Sequence, residues 1–161
     1  MLKLMNEKGQ TILEALVALG VGVIIVSAIT VAVITAVRNA DFSKNQNLAT
    51  QFAQQGMDIV RQISESNWST FSQNDVGTWC LAQDYTELNV SSPCSKNIKD
   101  SNGNLYFIRQ ITVKSNGNCI NGAYQVTSSV SWSDGSCQNN NYCHQVTLNS
   151  CFANLDAAPA P

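Results

Sequence analysis

The residues of this sequence that could perform chemistry are one carboxylate near its start and six cysteines in its second half. Glu14 is the only charged residue between Gly9 and Val37, in a stretch that is otherwise almost entirely apolar. The cysteines all come after residue 79: Cys80, Cys94, Cys119, Cys137, Cys143 and Cys151. A charged group in apolar surroundings is costly unless it is paired, so Glu14 requires an explanation of its own.

The spacing of the cysteines favours disulfides over a metal site. Their number is even and no Cys-x-x-Cys pair occurs, whereas zinc sites usually have such tightly spaced ligand pairs. Disulfides form and persist outside the reducing cytosol. We therefore predict that the cysteine-bearing part of the chain is exported and holds no metal.

The remaining candidates for chemistry have simpler interpretations. His144 is the single histidine and has no nucleophile partner that the sequence identifies, so we interpret it as a strand surface residue and predict no enzymatic activity and no cofactor. The segment 100–104, Asp-Ser-Asn-Gly-Asn, resembles half of a calcium-binding loop. Because the downstream acidic ligand of such a loop is missing, an Asn-Gly hairpin turn is favoured there.

The composition excludes an electrostatic nucleic-acid binder. Charged residues make up 12% of the 161-residue chain, against about 25% in a typical soluble domain. The net charge is −2, and the nine Lys and Arg residues are scattered along the chain. Proteins that bind nucleic acids usually carry a clustered basic face. We expect no nucleic-acid partner.

The element that must position Glu14 is a long apolar segment. Leu13 to Val37 is 25 residues, which as a helix would be about 38 Å long. The hydrocarbon core of a bilayer is about 30 Å thick, so this segment can span a membrane with some tilt. It is too long for a cleaved secretory signal, whose apolar stretch is about 7–15 residues. An uncleaved anchor, with its N-terminus inside and its C-terminus outside, fits better.

Two interpretations of Glu14 are open from the residues alone. Thr11 and Glu14 match a capping box, in which the two side chains satisfy the first N–H groups of a helix. Alternatively, a cut between Gly9 and Gln10 would place a new ammonium on Gln10, one helical turn from Glu14. The carboxylate would then pair with that amine or with the amine of a neighbouring subunit. Its position within the apolar run favours the second interpretation, because Gln could provide a cap at lower cost.

The residues around Glu14 carry a family resemblance. The sequence from Lys8 to Glu14, KGQTILE, followed by the apolar run, resembles the class III signal of type IV prepilins and pseudopilins. This resemblance implies cleavage by prepilin peptidase after Gly9 and an assembly role for Glu14 together with Gln10 and Thr11. Gln10 stands where the family most often has Phe or Met, which leaves N-methylation of the new terminus open.

A second, amphipathic helical stretch follows the apolar segment. Apolar residues recur at helical spacing in two adjacent lines: Leu48, Phe52, Ile59 and Ile63, with Ala49, Ala53, Gly56 and Val60 beside them. One helix from about Thr11 to Ser66 is predicted, and a separate short helix after a break near 39–44 is the alternative. The stretch 53–68 is also similar to minor pilins of the PilV type or to secretion pseudopilins.

The second half of the chain predicts a small antiparallel sheet. Three strands are expected: Leu105–Lys114, Tyr124–Trp132 and Cys143–Phe152. In the second of them Ser128 is the polar residue on the inward face. The segment before them, 67–104, is a long connection. Within it Trp68 either packs at the end of the helix or forms a contact patch with Trp79 and Tyr85.

The order of these elements indicates how the cysteines pair. Cys137 and Cys143 flank the turn between the second and third strands, Cys119 and Cys151 return to one edge, and the remaining two share the long connection. Out of 15 possible pairings we predict Cys80–Cys94, Cys119–Cys151 and Cys137–Cys143.

These features predict an α+β fold in which a long N-terminal helix, membrane-spanning in its first half and amphipathic in its second, packs on a small antiparallel sheet, as in pilins. The predicted regions are a leader at 1–9, a transmembrane helix at 10–38, its amphipathic continuation at 39–66, the connection at 67–104, the disulfide-braced sheet at 105–152 and a tail at 153–161.

The resemblance implies a structural subunit, favoured as a minor one, of a type IV pilus or pseudopilus. Its expected partners are other pilin subunits, prepilin peptidase, an inner-membrane assembly platform and the lipid bilayer. Before assembly it would be a single-pass protein of the cytoplasmic membrane with an exported C-terminal domain, and afterwards part of an extracellular or periplasmic filament. The alternative is a membrane-anchored extracellular binding or adhesion domain that does not polymerise. Adhesion, motility, DNA uptake and secretion all remain open.

Overall fold

The computed structural model describes most of the backbone of the chain. The described residues are 3–83, 88, 90–91, 93–115, 118–119, 122–138 and 142–154, with side chains from residue 11 onward except those of Val90 and Ser91. Tyr85 and the tail beyond Asn154 lie outside these residues. The chain divides into two compact units, 1–44 and 45–161, and each is described by itself.

One helix, α1, runs from Lys3 to Ser66. The predicted continuous helix is therefore confirmed, and the alternative with a break near 39–44 is wrong. In the first unit the large apolar side chains from Ile12 to Val37 are 48–70% exposed, with Ile34 the least and Ile24 the most exposed of them. By length and composition α1 could cross a membrane.

The second unit contains a six-stranded sheet and a short second helix. Helix α2 spans Trp68–Asn74. The strands are β1 (Gly77–Cys80), β2 (Val90–Ser91), β3 (Ile98–Lys99), β4 (Leu105–Lys114), β5 (Tyr124–Trp132) and β6 (His144–Phe152). They pair antiparallel in the order β2-β1-β4-β5-β6. Strand β3 pairs with the first part of β4, and β1 pairs with the second part of the same edge.

The three predicted strands are confirmed within one residue, and the α+β class with them. The long connection at 67–104 holds α2 and the three short strands β1, β2 and β3, whose bounds the sequence analysis did not give. These strands are two to four residues long and extend the sheet by pairing with β4 or with each other. Such short strands have too few residues for an alternating pattern to identify them.

The second half of α1 packs on one face of the sheet. The centre of the helix contact is a line of mostly small buried residues: Ala49, Ala53, Gly56, Met57, Val60 and Ser64. The larger predicted residues lie beside this line and are half-buried: Leu48, Phe52, Ile59 and Ile63. Small residues at the centre allow the helix backbone to approach the sheet closely, while the larger side chains cover its margins.

The core under the helix has two apolar clusters. On β4 the fully buried residues alternate along the strand: Phe107, Arg109, Ile111 and Val113. Phe107 belongs to one cluster with Ala53 and Trp132, whereas Ile111 and Val113 belong to the other. Arg109 lies on the strand between the two clusters, so a polar centre separates them.

Three disulfides connect the elements, in the pairs predicted from the sequence. Cys80 of β1 is bonded to Cys94. Cys119 is bonded to Cys151 of β6, and Cys137 is bonded to Cys143 across the turn from β5 to β6. Two of these bonds each attach a segment outside the strands to a strand residue, and the third closes the connection between β5 and β6.

Candidate functional site

The predicted assembly residues lie on one continuous stretch of α1. Gly9 and Gln10 have helical backbone, and the Glu14 side chain is exposed. Gln10 and Glu14 are four residues apart and therefore share a helix face. Within the described part of the chain Glu14 has no ion-pair partner. A carboxylate on this face is accessible to a cation brought by cleavage or by a neighbouring molecule.

The position of the helix start bears on the capping interpretation. Because α1 begins at Lys3, Thr11 lies two turns inside the helix and cannot be its N-cap. A capping role for the Thr11–Glu14 pair therefore does not apply to the helix that begins at Lys3. After a cut at Gly9, the helix would begin at Gln10, and Glu14 would lie close to its positive end.

The apolar surface of α1 keeps its few polar side chains satisfied. The hydroxyls of Ser27, Thr30 and Thr35 each donate a hydrogen bond to the carbonyl four residues earlier, at 2.8, 2.8 and 2.9 Å. In a bilayer a hydroxyl without a partner would cost several kcal/mol, on the order of that for any unsatisfied polar group there. Glu14 is thus the one side chain from residue 11 to 37 whose charge the helix itself does not satisfy.

A buried arginine, Arg109, connects several elements of the second unit through hydrogen bonds. Arg109 is fully buried and donates four hydrogen bonds through its guanidinium. The acceptors are Leu81 O at 2.9 Å, Ala82 O at 2.8 Å, Phe52 O at 3.1 Å and Gln55 Oε1 at 3.0 Å. Burial lowers the pKa of Arg109 to about 10, so the side chain stays protonated at neutral pH. It joins β4, α1 and the segment after β1.

The backbone of Arg109 is also hydrogen-bonded by residues that neighbour β4. Its N–H donates to Asn97 Oδ1 at 2.7 Å, and its carbonyl accepts from Asn97 Nδ2 at 2.9 Å. The N–H of Leu81 donates to the same carbonyl at 3.2 Å. The alternating pattern of LYFIRQITVK places residue 109 on the inward face, but sequence reasoning missed its role because charged residues are seldom fully buried.

At Gly56, α1 approaches the sheet closely. A Cβ on Gly56 would lie 2.7 Å from Ser128 Oγ, 3.1 Å from Arg109 Cδ and 3.2 Å from Ile111 Cδ1. Ser128, predicted as an inward polar residue, is fully buried, and its hydroxyl has no hydrogen-bond partner among the described residues. Glycine at 56 is therefore required by packing in the second unit.

Polar side chains also meet at the turn between β5 and β6. Asp134 Oδ2 lies 3.0 Å from His144 Nε2, and Asp134 Oδ1 accepts hydrogen bonds from the N–H and the hydroxyl of Ser136. The hydrogen bond from the Ser136 side chain, with smaller contributions from His144, lowers the pKa of Asp134. Asp134, Cys137, Cys143 and His144 place their ligand atoms within 4.8 Å of one another. The cysteine pairing was predictable from the order of the strands, whereas no sequence pattern indicated Asp134 as the partner of His144.

The remaining candidates have structural roles. Asp100 Oδ1 accepts hydrogen bonds from the N–H groups of Asn102 and Asn104, at 2.8 and 2.9 Å, so the segment 100–104 forms the expected hairpin turn. Trp68 packs against Phe71 and Tyr124, with ring centroids 5.4 and 5.6 Å away. The interpretation of Trp68 as packing at the helix end is confirmed.

A surface groove of about 460 Å³ lies where α1 ends. Arg61, Glu65 and Trp68 line it on one side, and Cys151 and Phe152 on the other. The Arg61 guanidinium lies 5.8 Å from the centre of the Phe152 ring, which is a cation–π distance. The groove joins the amphipathic end of α1 to the last strand of the sheet.

Comparison with protein-family models, curated proteins and solved structures finds no match to this chain.

Proposed function

We propose that this protein is a structural subunit, favoured as a minor one, of a type IV pilus or pseudopilus filament. The observation that carries the proposal is the exposed apolar surface of α1 between residues 11 and 37, on which Glu14 is the single charge. In a membrane this surface contacts lipid, and in a filament it contacts the equivalent helices of other subunits. The same apolar surface is thus suited both to the subunit in the membrane before assembly and to the subunit in the filament.

Cleavage after Gly9 prepares the chain for assembly in this proposal. Prepilin peptidase removes the leader and leaves an ammonium on Gln10. A carboxylate at the bilayer centre costs about 2.5–3.5 kcal/mol on insertion scales and less near the interface, so Glu14, at the start of the apolar run, gains from finding a cation. The cation is the amine of the same or of a neighbouring subunit. Because a buried charge that lacks its partner is costly, pairing fixes the axial position of the incoming subunit.

The disulfide-braced second unit is the part that the filament presents outward. Its three disulfides agree with an exported location. An inner-membrane assembly platform would take up the cleaved subunit from the bilayer. Growth by repeated head-to-tail contacts is the heterologous, non-closing kind of assembly.

The proposal is tested by N-terminal mass spectrometry on protein isolated from cells, combined with fractionation of shed filaments. We expect a mature chain that begins at Gln10 and enters the filament fraction. Glu14→Ala should leave membrane insertion intact and remove the chain from filaments.

Asp41→Ala is the matched control, since Asp41 is an exposed acid on the same helix beyond the apolar run. The control should enter filaments normally. A chain that keeps its Met1 terminus and never sediments with filaments would contradict the proposal and favour a membrane-anchored binding domain.

A further inference from the structure

The turn between β5 and β6 brings together four side chains with the chemistry of a zinc site. Cys137 and Cys143 supply two sulfurs, His144 supplies an imidazole nitrogen and Asp134 a carboxylate. Two thiolates, an imidazole and a carboxylate are ligands that zinc accepts in tetrahedral geometry. In the oxidised chain the two sulfurs are bonded to each other.

The distances of this cluster are close to those of a metal centre. The four ligand atoms lie within 4.8 Å of one another, and His144 Nε2 is already 3.0 Å from Asp134 Oδ2. With Zn–S of about 2.3 Å and Zn–N or Zn–O of about 2.0–2.2 Å, tetrahedral ligands are about 3.3–3.8 Å apart. The side chains therefore need movements on the order of 1 Å to surround one ion.

The backbone fixes three of these four residues independently of the disulfide. His144 begins β6 opposite Trp132, the last residue of β5. The N–H of Cys137 donates to Asp134 O at 3.1 Å, and the Ser136 N–H donates to Asp134 Oδ1 at 2.8 Å. Asp134, Cys137 and His144 are therefore held by the strand pairing and by hydrogen bonds within 134–137.

We propose that, when Cys137 and Cys143 are thiols, Asp134, Cys137, Cys143 and His144 bind one zinc ion. On binding, each thiol releases a proton to solvent and both sulfurs become thiolate ligands. A disulfide-bearing oxidant reverses this state by accepting two electrons from the thiolates, so that the Cys137–Cys143 bond forms and the ion leaves. The metal and the disulfide are thus alternative cross-links of Cys137 and Cys143. This inference does not depend on filament assembly.

Cobalt(II) is the probe for this site, because thiolate ligation gives a near-ultraviolet charge-transfer band and tetrahedral geometry gives strong visible bands. The full chain in detergent micelles is reduced with a phosphine and titrated with Co²⁺, and Zn²⁺ is then added in competition. We expect one Co²⁺ per chain, displaced by Zn²⁺, and no charge-transfer band in the oxidised chain.

Variants assign the ligands. The double variant C137S/C143S should lose the charge-transfer band, while C80S/C94S, which removes another thiol pair, should keep it. His144→Gln leaves both thiols in place and should weaken Co²⁺ affinity about tenfold or more and alter the visible bands. An equal charge-transfer band in C137S/C143S, or unchanged affinity in His144→Gln, would overturn the proposal.

A second measurement covers the case in which full reduction unfolds the chain. A limiting amount of phosphine opens only part of the disulfides, and alkylation followed by peptide mapping reports each cysteine separately. With near-ultraviolet circular dichroism retained, Zn²⁺ should slow the alkylation of Cys137 and Cys143 about tenfold or more and leave that of Cys80 and Cys94 unchanged. Equal alkylation rates of Cys137 and Cys143 with and without Zn²⁺ would refute the site.

Discussion

Arg109 Nη1 lies 3.1 Å from the carbonyl oxygen of Phe52, so the central part of the sheet donates a hydrogen bond directly to the backbone of α1. The same nitrogen donates to Gln55 Oε1, and the other guanidinium nitrogens bind the carbonyls of Leu81 and Ala82. One side chain therefore holds the helix, the sheet and the segment after β1 in a fixed relation. The fully buried position makes these hydrogen bonds costly to lose.

Arg109→Met should destabilise the second unit strongly. Methionine fills much of the volume but leaves the carbonyls of Leu81 and Ala82 without their donors, and each buried unsatisfied group costs about 1–3 kcal/mol. We expect a loss of about 3 kcal/mol or more in the free energy of unfolding, measured by denaturant titration of the full chain in micelles.

Arg61→Met is the control for loss of an arginine from an exposed position over the Phe152 ring. It should cost about 1 kcal/mol or less. Arg109→Lys should lie between wild type and Arg109→Met, because an ammonium cannot reach all four acceptors. Equal stability of Arg109→Met and wild type would show that the buried network contributes nothing.

The contact between Gly56 and Ser128 predicts opposite effects for two alanine variants. Gly56→Ala places a Cβ 2.7 Å from Ser128 Oγ and should cost about 1–3 kcal/mol, despite the better helix propensity of alanine. Ser128→Ala removes a buried hydroxyl that has no partner in the described structure, so it should be neutral or slightly stabilising.

The double variant tests whether the two effects share one cause. Ser128→Ala should recover part of the loss in Gly56→Ala, giving a coupling energy of about 0.5 kcal/mol or more in a double-mutant cycle. Thermal unfolding followed by near-ultraviolet circular dichroism measures all four chains. Strict additivity would show that the Ser128 hydroxyl is not the obstacle.

The three disulfides should contribute to stability in the order of their sequence separations, which are 32, 14 and 6 residues. The chain-entropy model gives about 3.7 kcal/mol for Cys119–Cys151, about 3 for Cys80–Cys94 and about 2 for Cys137–Cys143. Paired serine variants compared by denaturant titration give the order. A larger loss for Cys137–Cys143 than for Cys119–Cys151 would contradict it.

Glu14→Gln separates charge pairing from helix capping. Glutamine keeps the capacity to cap but loses the charge, so in the proposed filament the incoming ammonium would have no counter-ion. We expect incorporation into filaments to fall about a hundredfold, which corresponds to roughly 3 kcal/mol, with cleavage after Gly9 unchanged. Quantitative mass spectrometry of membrane and filament fractions measures both. Normal incorporation of Glu14→Gln would contradict charge pairing and would leave helix capping as the role of this side chain.

The parts of the fold that sequence reasoning predicted are those with a periodic signal longer than about eight residues. The lines of apolar residues through Leu48 and Ala49 identified the helix face, and the alternation in 124–132 identified a strand. Strands β2 and β3 have two residues each, so they form only because the free edges of β1 and β4 supply hydrogen-bond partners. No local pattern could have identified them.

The polar residues also divide into those that the sequence identified and those that it did not. Glu14 was identified because its surroundings in sequence are also its surroundings along the helix. Arg109 and Asp134 were missed because their partners are distant in sequence or lie across a turn: Phe52 is 57 residues from Arg109, and His144 faces Asp134 from the next strand. Burial and pairing of this kind are tertiary properties.

The hydroxyls of Ser27, Thr30 and Thr35 bind carbonyls of their own helix and so need nothing from a neighbouring helix. When two such helices shift along each other, none of these three hydroxyls has a hydrogen bond to the other helix that must break. In a filament of the proposed kind, resistance to such a shift would therefore come mainly from the charge pairing of Glu14 and not from these hydroxyls.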